Sequence, residues 1–129
     1  DYRALEWLTV TLTYLYERGL ADGHKDTQFA DDVSYYLHMV SAGTEVRINR
    51  QWDLGFTYIH RRKTFTSGLA GDTHVGRFDA THQGIAELRY HMSAAATVML
   101  SYQYGQRTST NVLRDFQNSI FSIGGQYRF

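Results

Sequence analysis

Between Leu8 and Tyr16 the even positions read Leu, Val, Leu, Tyr, Tyr, while positions 9, 11 and 13 are all threonine. A helix would scatter those threonines around its circumference, whereas a strand puts them on one face and the apolar set on the other. The period of two recurs in Val40, Ala42, Thr44, Val46, Ile48 against Ser41, Gly43, Glu45, Arg47, Asn49, and in Leu54, Phe56, Tyr58 against Asp53, Gly55, Thr57, Arg61. It returns in Gly84, Ala86, Leu88, Tyr90; in Val98, Leu100, Tyr102, Tyr104; and in Phe121, Ile123, Gly125, Tyr127, Phe129. Residues with strand preference dominate these runs, and helix signals are poor. The expectation is an all-β chain of six antiparallel strands, at about 4–17, 33–49, 52–65, 76–91, 94–107 and 116–129, in one unit with no linker.

The connections alternate in length. About fifteen polar residues, including Asp22, His24 and Asp26, follow the first strand, and little more than Arg50-Gln51 follows the second. A loop at 67–75, a short turn near Met92-Ser93 and a loop at 109–114 complete the rhythm. Long, short, long, short, long suits an up-and-down transmembrane barrel, in which both chain ends would lie on the short-turn side. With the turn at Arg50-Gln51, Val46 faces Leu54, Ala42 faces Tyr58, and Arg47 falls opposite Asp53. The fourth and fifth strands are expected to set Tyr90 beside Ala96, Ala86 beside Leu100, and Gly84 under Tyr102.

Composition bears on the same point. Aromatic residues make up 15%, ten of them tyrosine, yet the chain is polar on average. A thin alternating apolar band accounts for both facts. Trp52, Tyr90, Tyr127 and Phe129 fall toward the short-turn ends, and Tyr14, Tyr16, Tyr36, Tyr58, Tyr102 and Tyr104 toward the loop ends, giving two lipid-facing girdles about an aliphatic waist. Trp7 is on the wrong parity and marks either an inward residue or a bulge. No stretch reaches the roughly 18 apolar residues of a membrane helix. Thirteen basic and thirteen acidic residues give no electrostatic case for nucleic acid, and the absence of cysteine excludes disulfides and thiolate metal sites.

The polar parity gathers Glu45, Arg47, Asp53, Arg61, Glu87, Arg89, Gln103, Gln126 and Arg128. These are read as the lining of a hydrated lumen, since charges on a lipid face cost ~2–4 kcal/mol at mid-depth. Arg61-Arg62-Lys63 is a candidate grip for lipopolysaccharide phosphates or a plain solvated strand end. The histidines at 24, 38, 60, 74, 82 and 91 look scattered over loops and both faces, so neither metal nor cofactor is expected. His60, Ser67 and Asp79 are a conceivable hydrolase set without distinguishing spacing.

At the C-terminus Ser122, Gly124, Tyr127 and Phe129 occupy the positions of a β-signal: a polar residue, a glycine two later, then aromatics three and five beyond it. The ending resembles Gram-negative outer-membrane β-barrel proteins. The resemblance implies residence in the bacterial outer membrane, contact with bilayer and lipopolysaccharide, and recognition by the barrel assembly machinery. The last strand is also similar to that of β-barrel porins of exopolysaccharide export, and less so to barrels that sheath multihaem cytochromes.

Six strands are fewer than the eight at which single-chain barrels of this kind begin, and an open sheet in lipid leaves unsatisfied edges. The remaining strands are expected from the same barrel, or else from further copies of the chain. The functional expectation is a channel without enzymatic activity, for solute or polysaccharide export. The alternatives are a scaffold barrel holding a periplasmic or multihaem partner, and a rim-located hydrolase. A soluble lipocalin-like barrel, apolar inside and polar outside, is the structural rival.

Overall fold

The computed structural model describes residues 2–19, 34–66, 75–110 and 115–128. They form one antiparallel sheet in which every strand pairs with its sequence neighbours: β1 (Tyr2–Leu5), β2 (Leu8–Gly19), β3 (Tyr35–Arg47), β4 (Trp52–Phe65), β5 (Phe78–His91), β6 (Ala96–Ser109) and β7 (Phe116–Tyr127). Six of these are the expected long strands, and no helix is present among the described residues. The sheet is open, with β1 and β7 at its two edges.

The first expected strand is in fact two. A turn at Glu6-Trp7 separates β1 from β2, and the Trp7 carbonyl accepts the Arg47 N–H at 2.8 Å. Trp7 therefore lies in a turn, which explains its parity. β1 runs from Tyr2 beside Val10 to Leu5 beside Leu8.

Both short turns are organised by a side-chain oxygen. Asn49 Oδ1 accepts the N–H groups of Gln51 and Trp52 at 2.8 and 3.0 Å, which ends β3 at Arg47, two residues before its expected end. Ser93 Oγ does the same for Ala95 and Ala96 at 3.2 and 3.1 Å. Such local bonds replace ladder bonds that the reversing backbone has lost.

The β3–β4 register is as expected, with Val46 opposite Leu54, Ala42 opposite Tyr58 and Arg47 opposite Asp53. The β5–β6 register is displaced by two residues. Tyr90 stands opposite Val98, Ala86 opposite Tyr102, and Gly84 opposite Tyr104. The cause is the Ser93 turn, which uses four residues, 92–95, where two were expected. A shift of two preserves parity, so the faces survive it.

The faces are chemically distinct along unbroken rows. One row reads Leu8, Val46, Leu54, Leu88, Leu100, Ile123, and the next Val10, Thr44, Phe56, Ala86, Tyr102, Phe121. This apolar face carries most of the exposed large hydrophobics, including Leu12 at 71%, Phe121 at 69% and Ile123 at 77%. The opposite, polar face is the more sheltered one: Asp53, Phe65, Asp79 and Gly105 on it are buried. Phe65 is the single buried large apolar side chain among the described residues.

Candidate functional site

The polar face has charges at its two ends and a neutral waist. The waist is two cross-strand rows: Thr11, Gly43, Thr57, Ile85, Gln103, Ile120, and above it Thr13, Ser41, Ile59, Gln83, Gly105, Asn118. Gln103 shares the face with the expected lining residues but stands between Ile85 and Ile120, away from every charge.

Toward the short turns, the expected residues meet. Arg89 donates to Glu45 Oε1 at 2.9 Å and to Glu87 Oε2 at 2.8 Å. Glu45 is on β3 and Arg89 on β5, so this pair crosses over β4. It crosses at Gly55, where a Cβ would sit only 3.6 Å from Glu87 Oε2. Asp53 is the second hub, buried, with the Arg47 guanidinium at 3.5 Å and His91 Nε2 at 2.7 Å from its oxygens. His91 Nδ1 lies 3.0 Å from Thr97 Oγ1, so the ring ties β4 to β6. Gln126 and Arg128 complete a cavity of about 330 Å³ with Glu45, Asp53, Arg89 and His91. Its formal charge is near balance, with Glu45 and Asp53 against Arg89 and Arg128.

Sequence reasoning missed His91, whose odd number places it beside Arg89 on the charged parity. It also missed the cluster at the loop end. There Asp79 is buried and accepts a two-pronged hydrogen bond from Arg77, at 3.1 Å from Nε and 2.6 Å from Nη2. Arg107 and Ser109 donate to the same carboxylate. Lys63 stands directly opposite Asp79 in the register, with its Nζ 3.7 Å from the Tyr35 ring centre and 4.9 Å from that of Phe65. Arg61, one row nearer the waist, donates to Met39 Sδ at 3.3 Å. Arg61, Lys63, Phe65, Arg77, Asp79 and Arg107 line a second cavity of about 380 Å³.

The Arg61-Arg62-Lys63 run is divided by the pleat. Arg62 alone is on the apolar face, stacked over Phe78 at 5.2 Å, while Arg61 and Lys63 line the polar cavity. A three-residue phosphate grip is therefore corrected to one residue on that side. The described histidines occupy both faces, as expected, with His91 on the polar one, but His38, His60 and His82 lie together on the apolar face of consecutive strands. Tyr14 Oη is 2.9 Å from His38 Nδ1, Tyr58 Oη is 2.6 Å from His82 Nδ1, and the His60 and His82 rings are 4.6 Å apart. His60 and Asp79 stand on opposite faces, which separates two members of the conceivable hydrolase set, and Ser67 lies outside the described residues. No group of three potential metal ligands exists among the described residues.

The tyrosines and Trp52 of the two girdles are all on the apolar face, and Trp52 packs against Tyr90 at 4.6 Å. Tyr102 shares a row with Phe56 and Ala86, nearer mid-height than the upper girdle it was expected to join. Of the β-signal, Ser122 and Gly124 are on the polar face of the edge strand β7 and Tyr127 on the apolar one. Phe129 lies outside the described residues. No family model, no curated protein and no solved structure matches the chain.

Proposed function

We propose that this chain is one wall of a bacterial outer-membrane β-barrel, apolar face to lipid and polar face to a water-filled lumen, and that the completed barrel is a channel. The observation that carries the reading is the inversion of burial. Most of the exposed large hydrophobics form one continuous face, and most of the charges gather on the sheltered one. In water such a face is a liability, and in a bilayer it is the requirement.

Two dimensions support this. Strands of 12 to 14 residues, rising ~3.3 Å per residue at a tilt near 40°, cross the apolar band of about 25 Å with turns to spare. The tyrosine boundary also descends across the wall. Tyr16 on β2 shares a row with Thr108 on β6, and Tyr104 lies four residues below Thr108. That is about 13 Å along the strands against about 19 Å across four of them, a slope of about 35°. Barrel strands tilt by about that much, so a slanting row on the sheet is a level girdle in the membrane. At this girdle Arg62 and Arg18 are the cations presented toward lipopolysaccharide headgroups.

The test is a pair of substitutions. Leu100→Arg puts a charge among Leu88, Tyr102 and Ile123 and is expected to cost ~2–4 kcal/mol and abolish membrane assembly. Ser101→Arg, one residue away on the polar face, is expected to assemble. Equal tolerance at both positions rejects the orientation. Single-channel conductance of the assembled barrel then separates a channel from a scaffold barrel that holds a partner.

A further inference from the structure

The two charged ends of the polar face differ in a way that the channel reading does not require. At the short-turn end, cations and carboxylates balance. At the loop end, Arg61, Lys63, Arg77 and Arg107 surround Asp79, the one carboxylate among the described residues that lines the cavity. Glu17, at the rim on β2, is engaged at 2.5 Å by the Tyr35 hydroxyl. Asp79 is fully committed: Arg77 holds both its oxygens, and Arg107 and Ser109 donate to it. It anchors two guanidiniums without neutralising the group.

Arg61 and Lys63 form no salt bridge with a carboxylate among the described residues, and Asp79 and Glu17 act on Lys63 only through space. Lys63 rests over two aromatic rings, and Arg61 reaches a thioether, a weak acceptor. Arg107 Nε is buried with no hydrogen-bond partner at all. A buried donor left unpaired is costly, so a group of fixed donors with excess positive charge is a receptor for an acceptor-only ligand. The cavity is about 380 Å³, and it opens on the polar face, away from the side that lipid would touch.

We propose that this cavity is a binding site for a solute oxyanion, a phosphate or carboxylate group, at the loop-end mouth of the lumen. Arg61, Lys63 and Arg107 are its ligands, and Asp79 with Arg77 is the scaffold that holds them. The site rests on the channel reading for its place on a solute path, and its binding chemistry is independent of that reading. It gives the barrel a preference for anions.

The probe is inorganic phosphate, titrated calorimetrically into the full chain in zwitterionic detergent, with sodium chloride matching ionic strength in the reference. Saturable phosphate binding is expected. Arg61→Gln combined with Lys63→Gln should weaken it at least about tenfold, since each lost charge-assisted bond is worth more than 1.4 kcal/mol. Neither side chain bonds to Asp79, and each single variant is read as well, so loss of folding does not mask the result. Arg47→Gln with Arg128→Gln, at the other end of the face, should leave binding unchanged. No saturable binding by folded protein, or equal affinity in the Arg61/Lys63 variant, overturns the site. The same preparations freed of detergent separate the two readings: a soluble monomer that still binds phosphate rejects the membrane wall and retains the site, whereas aggregation without phosphate binding in detergent rejects the site alone.

Discussion

Arg89 is the residue on which the lower charge network depends. It donates to Glu45 and Glu87 across three strands, and all three side chains are part-exposed to water. Solvent screening reduces the worth of such pairs, but removing the cation leaves two carboxylates facing each other with nothing between them. Arg89→Ala is therefore expected to destabilise the wall by about 1 kcal/mol in urea unfolding. Adding Glu87→Gln should recover part of the loss, and a strictly additive double variant would show that the three groups do not act together. The members of this network were legible in the sequence because parity alone selects the face. Their partners were not. Glu45 and Arg89 are 44 positions apart and meet over Gly55 on the strand between them. Asp79 was likewise unreadable as a hub, because Arg77 precedes its strand and Arg107 lies 28 positions away on the neighbouring strand β6.

Strands carry their information as parity, and turns carry it as register. The period of two in β2 to β7 agrees with the observed sheet face of the described strand residues read as lining and as girdle. The spacing of the β5–β6 turn was misjudged by two residues, because nothing in Met92-Ser93-Ala94-Ala95 announces that Ser93 Oγ will accept two N–H groups. Asn49 has the same role in the other short turn, and there the residue type is the more familiar signal. Asn49→Ala should cost about 1 kcal/mol by removing an acceptor shared by Gln51 and Trp52, measured as a lower unfolding midpoint with an unchanged strand spectrum. Parity itself is testable on β6. Deleting Ser101 alone moves Tyr102 and Tyr104 to the polar face while Val98 and Leu100 keep theirs. Deleting Ser101 and Tyr102 together keeps all remaining residues on their sides. The single deletion is expected to block assembly, read by protease protection in the membrane, and the double deletion to permit it. If the shorter deletion is the better tolerated, the faces do not govern assembly.

The whole molecule is governed by its edges. β2, β4 and β6 run toward the long loops, and β1, β3, β5 and β7 run toward the short turns, as antiparallel neighbours must. The two edge strands therefore point the same way. Joining β7 of one wall directly to β1 of the same or a second copy would make a parallel pair, against the all-antiparallel rule of such barrels. If the proposed barrel forms, an odd number of further strands between them would restore the alternation and an even total, which copies pooled directly through β1 would not. The free edge makes this measurable. In an antiparallel strand every second N–H points toward one neighbour and the rest toward the other. β7 spans twelve residues, so about half of its amides bond to β6 and the others face outward. In hydrocarbon each outward group left unpaired costs several kcal/mol, which no membrane wall sustains along a whole strand. On the proposed barrel reading, amide exchange of the membrane-inserted chain is expected to be slow for both sets, at the level of β4 in the centre of the sheet. The β6-bonded set is the control within the same strand. Slow exchange there with fast exchange in the outward set would show that the sheet ends at β7, and would reject the barrel.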